Sequence, residues 1–216
     1  MAKEREYLEA YDQNGQFKKV AERTRLLREI KAYSLLHGDA KYAVRVCHLF
    51  LMNSAGELYI IQRAKKDENP YLFDKTLGAH MVKGETFDVG LQRESGEELG
   101  IKAKIVMNGT YQWAVRHTDL EEEAVITEFA YDPWYKSVRK NRDGTEWVKR
   151  HHVKNYVGIY NGELTTKNFI DGEALQLKLI TLNDLEAEIK ATPEVFTHDL
   201  IDLVSRYKPH LLPFRT

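Results

Sequence analysis

With a single cysteine, Cys47, in 216 residues, the chain cannot form an intramolecular disulfide, so packing must hold whatever fold it adopts. Long apolar runs are missing as well. The longest candidate, Val44 to Met52, is broken by Arg45 and His48 and falls far short of the roughly 20 residues that span a bilayer as a helix. It reads as a strand, and no membrane is expected as a partner. Net charge is almost absent too: 32 Lys and Arg face 33 Asp and Glu, a formal charge of -1, so no global field recommends a nucleic acid polymer. The opening residues MAKEREYLEAYDQ carry too much charge for a secretory signal, and a reducing cytoplasm is the expected location. Internal repeats and low-complexity segments are also missing. What is present is a 43% hydrophobic composition, enough for a substantial core in one domain with an appendage.

Asp12-Gln13-Asn14-Gly15 separates two β-prone segments, 7–11 and 16–21, and predicts a hairpin because Asn and Gly tolerate positive φ. Apolar spacing over 24–36 predicts a short amphipathic helix, with Thr24 as cap and Gly38 as stop. Residues 42–52 and 57–62 read as a second hairpin, followed by a polar loop over 63–70. A helix is expected from Thr86 to Leu99, ending at Gly100. Strands are expected over 104–113, 125–131, 153–160 and 175–180, with helices over 183–189 and 196–207. The polar stretch 133–152 looks like an insertion.

Chemistry concentrates in one place. On a helix, Glu94 and Glu98 share a face, and Glu97 lies four residues after Arg93. Like charges at that spacing repel, and Glu85 adds to the crowding. A divalent ion would offset this repulsion. Glutamate oxygens with no cysteine partner suit Mg²⁺ or Mn²⁺ better than Zn²⁺. Such a metal commonly accompanies a phosphate substrate, which makes diphosphate hydrolysis a sensible chemistry.

The spacing carries more information than the charge. From Ala79, five residues lead to Glu85 and seven more to Arg93, then Glu94, Ser95, Gly96, Glu97, Glu98, Leu99, Gly100 and Ile101. This resembles the Nudix box, Gx5Ex7REUxEExGU with U aliphatic, at all specified positions except Ala79 and Ser95. The resemblance implies a Nudix α/β/α sandwich with a mixed β-sheet over 39–216, preceded by a hairpin and helix over 1–38 like those of the isopentenyl-diphosphate-isomerase-like branch. It also implies metal ligation by Glu94, Glu97, Glu98 and the Ala79 carbonyl, with Arg93 orienting Glu85 or Glu97. Glu173 is the candidate general base, with Glu121, Glu122 and Glu123 competing for that role. Arg63 and Gln62 are the candidate phosphate contacts.

The activity so implied is Mg²⁺-dependent cleavage of a diphosphate bond in a nucleoside diphosphate linked to another moiety. A catalytically idle nucleotide-binding module is the alternative. An isomerase would need a cysteine in the turn before the box, where Leu77-Gly78-Ala79-His80 stands. His80 and the His151-His152 pair read as structural groups, and Cys47 as a core residue. Trp134, Tyr135 and Trp147, interleaved with Lys and Arg over 134–150, could stack a base and grip phosphates, or form an exposed hairpin or homodimer contact.

Overall fold

A computed structural model describes residues 5–65, 67–166, 169 and 174–212. The chain opens with the hairpin β1 (Tyr7–Tyr11) and β2 (Phe17–Glu22). Its turn is shaped by Asp12 as well as by Asn-Gly: Asp12 Oδ1 accepts the amides of Asn14 and Gln16, and Gly15 takes a φ of 72°. Helix α1 (Arg23–His37) is capped by Glu22, whose carboxylate accepts the amides of Thr24 and Arg25. The expected Thr24 cap is therefore displaced by an acid two residues earlier, where negative charge suits the helix dipole. Leu26 and Ile30 bury fully on the inner side of α1.

Next come β3 (Ala43–Met52), β4 (Glu57–Arg63), β5 (Phe73–Asp74), β6 (Leu77–His80), α2 (Phe87–Leu99) and β7 (Lys102–Val106). The chain ends in α3 (Asn108–Arg116), β8 (Glu123–Lys140), β9 (Glu146–Ile159), β10 (Ala174–Thr181), α4 (Leu182–Ala191) and α5 (His198–Tyr207). The sheet runs β10-β4-β3-β9-β8-β7, with β6 and β1 also on β3, β5 on β4 and β2 on β1. It is mixed: β3–β9 and β7–β8 are parallel, the remaining pairs antiparallel. One face packs on α2 through Leu91 and Leu99, and the other on α1, α3, α4 and α5. This is the expected α/β/α sandwich. No helix among the described residues is long and apolar enough to cross a membrane.

Two expectations fail for identifiable reasons. Residues 108–116 form a helix rather than the end of a strand, because Tyr111, Ala114 and Val115 recur at helical spacing and bury together. The stretch 133–152 is not an insertion but the outer half of a long hairpin, β8 and β9, turning at Gly144 with a φ of 85°. Its inward residues Tyr135, Ser137 and Arg139 alternate as a strand requires, yet two of the three are polar, which conceals the period-two pattern.

The two departures from the box are absorbed. Ala79 sits in β6 opposite Cys47, outside the positive-φ set, so no glycine is needed there. Helix α2 keeps its full span, with Thr86 Oγ1 accepting the Val89 amide and Gly100 closing it at a φ of 66°. Ser95 is fully buried with its hydroxyl unpartnered, whereas Gly96 is exposed and faces open space where a Cβ would go. Gly96→Ala should therefore raise stability by ~1 kcal/mol, a gain of roughly 2–4 °C in Tm for a chain of this size. Thermal unfolding of the variant showing a lower Tm would contradict the open surface.

Candidate functional site

Arg93 organises the first half of the site. Its Nε and NH2 donate to the two oxygens of Glu85 at 2.8 and 3.0 Å, while NH1 donates to Glu94 at 2.8 Å and to Glu97 at 3.0 Å. Glu85 also accepts the Val82 amide at 3.0 Å, which fixes the turn between β6 and α2. That turn lies against the helix because position 90 is glycine: a Cβ there would stand 2.8 Å from Glu85 Oε2 and 2.3 Å from Met81 Sδ. The bidentate pairing with Glu85 keeps Arg93 firmly protonated. Burial lifts the Glu94 carboxyl above its ordinary range against the lowering pull of Arg93. One guanidinium thus serves three carboxylates, and Glu98 extends the negative edge on the same helix face.

This edge borders a cleft of about 880 Å³. The cleft opens where β3 and β4 part. The two strands pair only at Met52 and Leu58, beside their turn; farther along, β3 pairs with β6 and β4 with β5. Thr76 ties the fork, accepting the Leu51 amide and donating to the Tyr59 carbonyl. Glu94, Glu97, Glu98 and Ala79 line one wall, and Arg63, His48, His80, Arg139, Lys149 and His151 line the other.

The second wall is a buried ionic network. Lys75 reaches Asp74 at 3.1 Å and Asp199 at 3.8 Å, Arg139 reaches Asp199 at 3.1 Å, Arg63 reaches Asp74 at 3.4 Å and Lys149 reaches Glu68 at 3.3 Å. Burial would raise Asp74, but Lys75, Arg63 and Arg139 outweigh it and hold the carboxyl well below its usual range. Burial pushes Lys149 down to about 8 against the pull of Glu68. Burial, reinforced by Lys75, pushes His48 down to about 3, and burial leaves His151 well below its ordinary value. His48, His151 and Asp199 offer ligand atoms within 4.8 Å of one another. A cation among them would face Lys75 and Arg139, and a unit charge at 4 Å costs about 4 kcal/mol at an effective dielectric of 20. The charge around this trio suits an anion better than a metal.

The NUDIX domain model matches residues 41–200, most of the chain. The chain belongs to the Nudix family. It is 41% identical over 77 residues to an uncharacterised Nudix hydrolase of Nostoc sp., all7351, covering 35% of this chain and 46% of that one. A Nudix hydrolase of Deinococcus radiodurans is 38% identical over 60 residues, 27% of this chain and 35% of its own. The matched stretch thus spans less than half the length of either relative. Among solved structures, DR0079 of Deinococcus radiodurans shares the fold with a TM-score of 0.63 at 20% identity, over 93% of this chain and 98% of that one.

The box residues Ala79, Arg93, Glu94, Glu97 and Glu98 all line the cleft, and Glu85 stands behind them, bonded to Arg93. Arg63 lines the cleft, but Gln62 does not: adjacent strand residues face opposite ways, and its amide donates to the Tyr71 carbonyl. Glu121 and Glu122 occupy the turn before β8 and Glu123 opens that strand, and none of the three lines the cleft. Glu173 lies outside the described residues. His151-His152 is not a strand-edge pair, since β9 is flanked by β3 and β8 and the two rings point to opposite faces. His151 joins His48 and His80 on the cleft side, and His152 packs against Tyr11, Phe87 and Tyr131. Of the interleaved aromatic and basic residues of β8 and β9, only Arg139 and Lys149 reach the cleft, while Tyr135 and Trp147 are buried as packing.

A pH dependence of stability follows. His48 and His151 are neutral when folded, so below an unfolded pKa near 6.5 the unfolded chain binds more protons and stability falls as pH is lowered, down to about 3 for His48. Each ring contributes up to ~1.4 kcal/mol per pH unit in that window. Denaturant melts at pH 7, 6 and 5 should show this decline, and His151→Asn should make it shallower without abolishing it, since His48 remains. A profile that is level from pH 7 to 5 would mean that the rings are not buried neutral.

Proposed function

We propose that this chain is a Mg²⁺- or Mn²⁺-dependent hydrolase of a diphosphate bond in a nucleoside diphosphate linked to another moiety. The observation that carries this reading is the carboxylate edge itself: Glu94, Glu97 and Glu98 line a cleft large enough for a nucleotide, and Arg93 bonds the first two from its anchor on Glu85. An all-oxygen donor set with surplus negative charge fits a hard divalent ion. Glu94, Glu97, Glu98 and the Ala79 carbonyl are the residues that would hold it. Bound there, the ion supplies charge neutralisation of the diphosphate and lowers the pKa of attacking water.

The protein's own contribution is positional. Arg93 fixes the orientation of Glu94 and Glu97 at the edge of the cleft, and Glu85 fixes Arg93 through two parallel hydrogen bonds. Arg63, anchored on Asp74 and the Glu68 carbonyl, is placed to meet a phosphate oxygen. Glu173 remains the candidate for accepting the water proton, on its sequence position alone. An isomerase reading loses its nucleophile: Cys47 is fully buried, and burial pushes its thiol up to about 12.

The test is a screen of nucleoside diphosphate-linked compounds with Mg²⁺, comparing wild type with Glu98→Gln. Turnover should require the metal and fall at least ~100-fold in the variant. Turnover unaffected by Glu98→Gln would remove this mechanism. Tight metal-free binding with no turnover would favour an idle nucleotide-binding module.

A further inference from the structure

The cleft has two chemically opposite walls, and diphosphate hydrolysis at the glutamates uses only Arg63 of the second, leaving its other groups without a task. On it, Arg63 of β4, His80 of β6, and Lys149 and His151 of β9 line one space. Lys149 and His151 are two apart on a strand and share a face. The rings of His80 and His151 lie 6.4 Å apart, and Glu68 bridges Arg63 and Lys149, accepting from Arg63 at its carbonyl and pairing with Lys149 at its carboxylate.

The network's charges do not balance. Arg63, Lys75, Arg139 and Lys149 stand against Glu68, Asp74 and Asp199, four cations to three carboxylates. Nor are its nitrogens all used: Arg63 Nε, His80 Nε2, Arg139 Nε and both ring nitrogens of His151 are buried without a hydrogen-bond partner among the described residues. His151 is 1% exposed, so these are not groups turned to bulk water. A buried donor left unpaired is costly; each Arg Nε is such a donor and the neutral His151 ring supplies one more, and with surplus positive charge these are matched by an anion. Donors arriving from three strands suit the several oxygens of a tetrahedral phosphate better than a planar carboxylate.

We propose that Arg63, His80, Lys149 and His151 form an anion subsite for a phosphate group carried by the substrate in addition to the diphosphate that is cleaved. This specificity rests on the hydrolase reading above, but the subsite itself does not. The substrate class is a nucleoside diphosphate compound whose linked moiety bears a further phosphate. The hydrolysed diphosphate lies against the glutamate wall and the extra phosphate against the Lys149 wall. An anion there would also favour the Lys149 ammonium, which burial disfavours against the pull of Glu68.

Two measurements test this. Inorganic phosphate is titrated calorimetrically into the full chain in metal-free buffer, and turnover with Mg²⁺ is compared for a nucleoside diphosphate sugar and its sugar-phosphorylated counterpart. Lys149→Met should weaken phosphate binding ~10-fold or more, Lys149→Arg should retain it within a few-fold, and Glu98→Gln should leave it intact. Wild type should prefer the phosphorylated compound by ~10-fold or more in kcat/KM. If Lys149→Met does not fold, Arg63→Gln carries the same expectation. Phosphate binding that is absent, or equal in wild type and Lys149→Met, overturns the subsite, and turnover of both compounds without preference overturns its role in specificity. Lys149-dependent phosphate binding with neither compound turned over upholds the subsite and removes the hydrolase reading instead.

Discussion

The pairing of Arg93 with Glu85 is the contact on which the rest of the site depends. Glu85 ends the turn after β6, Arg93 lies in the middle of α2, and two parallel hydrogen bonds make turn and helix a single unit. Neither residue is a metal ligand by position. Their role is to bring the β6 backbone, which carries the Ala79 carbonyl, to a fixed distance from the carboxylates of α2. Gly90 permits the approach by leaving room for Met81 and Glu85, and Arg45, donating to the Glu85 carbonyl at 2.6 Å, holds the turn from the β3 side. The mutual repulsion of four acids is thereby converted into order, because each of three finds the same guanidinium from a different direction.

The box was legible because all its information is local. Spacing of five, seven and four residues survives any tertiary arrangement, so the clustering of Arg93, Glu94, Glu97 and Glu98 along one edge of a helix could be read from residues 79–101 alone. The departures at Ala79 and Ser95 leave the local structure intact: Ala79 is in an extended strand that any residue tolerates, and α2 keeps its span although the buried Ser95 hydroxyl has no partner among the described residues. The opposite wall was illegible for the converse reason. His48, Arg63, Arg139, Lys149, His151 and Asp199 come from five elements, and only the parallel pairing of β3 with β9 and the docking of α5 bring them together. Their alternation also misled: buried Arg139, Ser137 and Lys149 resemble solvent-facing residues, so the outer half of the β8–β9 hairpin read as an insertion.

The N-terminal hairpin, set apart in sequence as an appendage, is joined to the sheet at the site's own strand. β1 pairs with β3 through Ala10 and Tyr11, its Tyr7 carbonyl accepts the Lys83 amide, and Glu9 receives the Gly84 amide. The same strand therefore supports the turn that leads into the box from Met81 to Glu85. A chain cut back to the family-matched segment 41–200 would lose more than a decoration. The start of β3 would present unpaired amides and carbonyls to solvent, an edge able to recruit a second chain. The turn carrying Glu85 would lose two of its anchors, so self-association and a loosened box would arise together from one truncation.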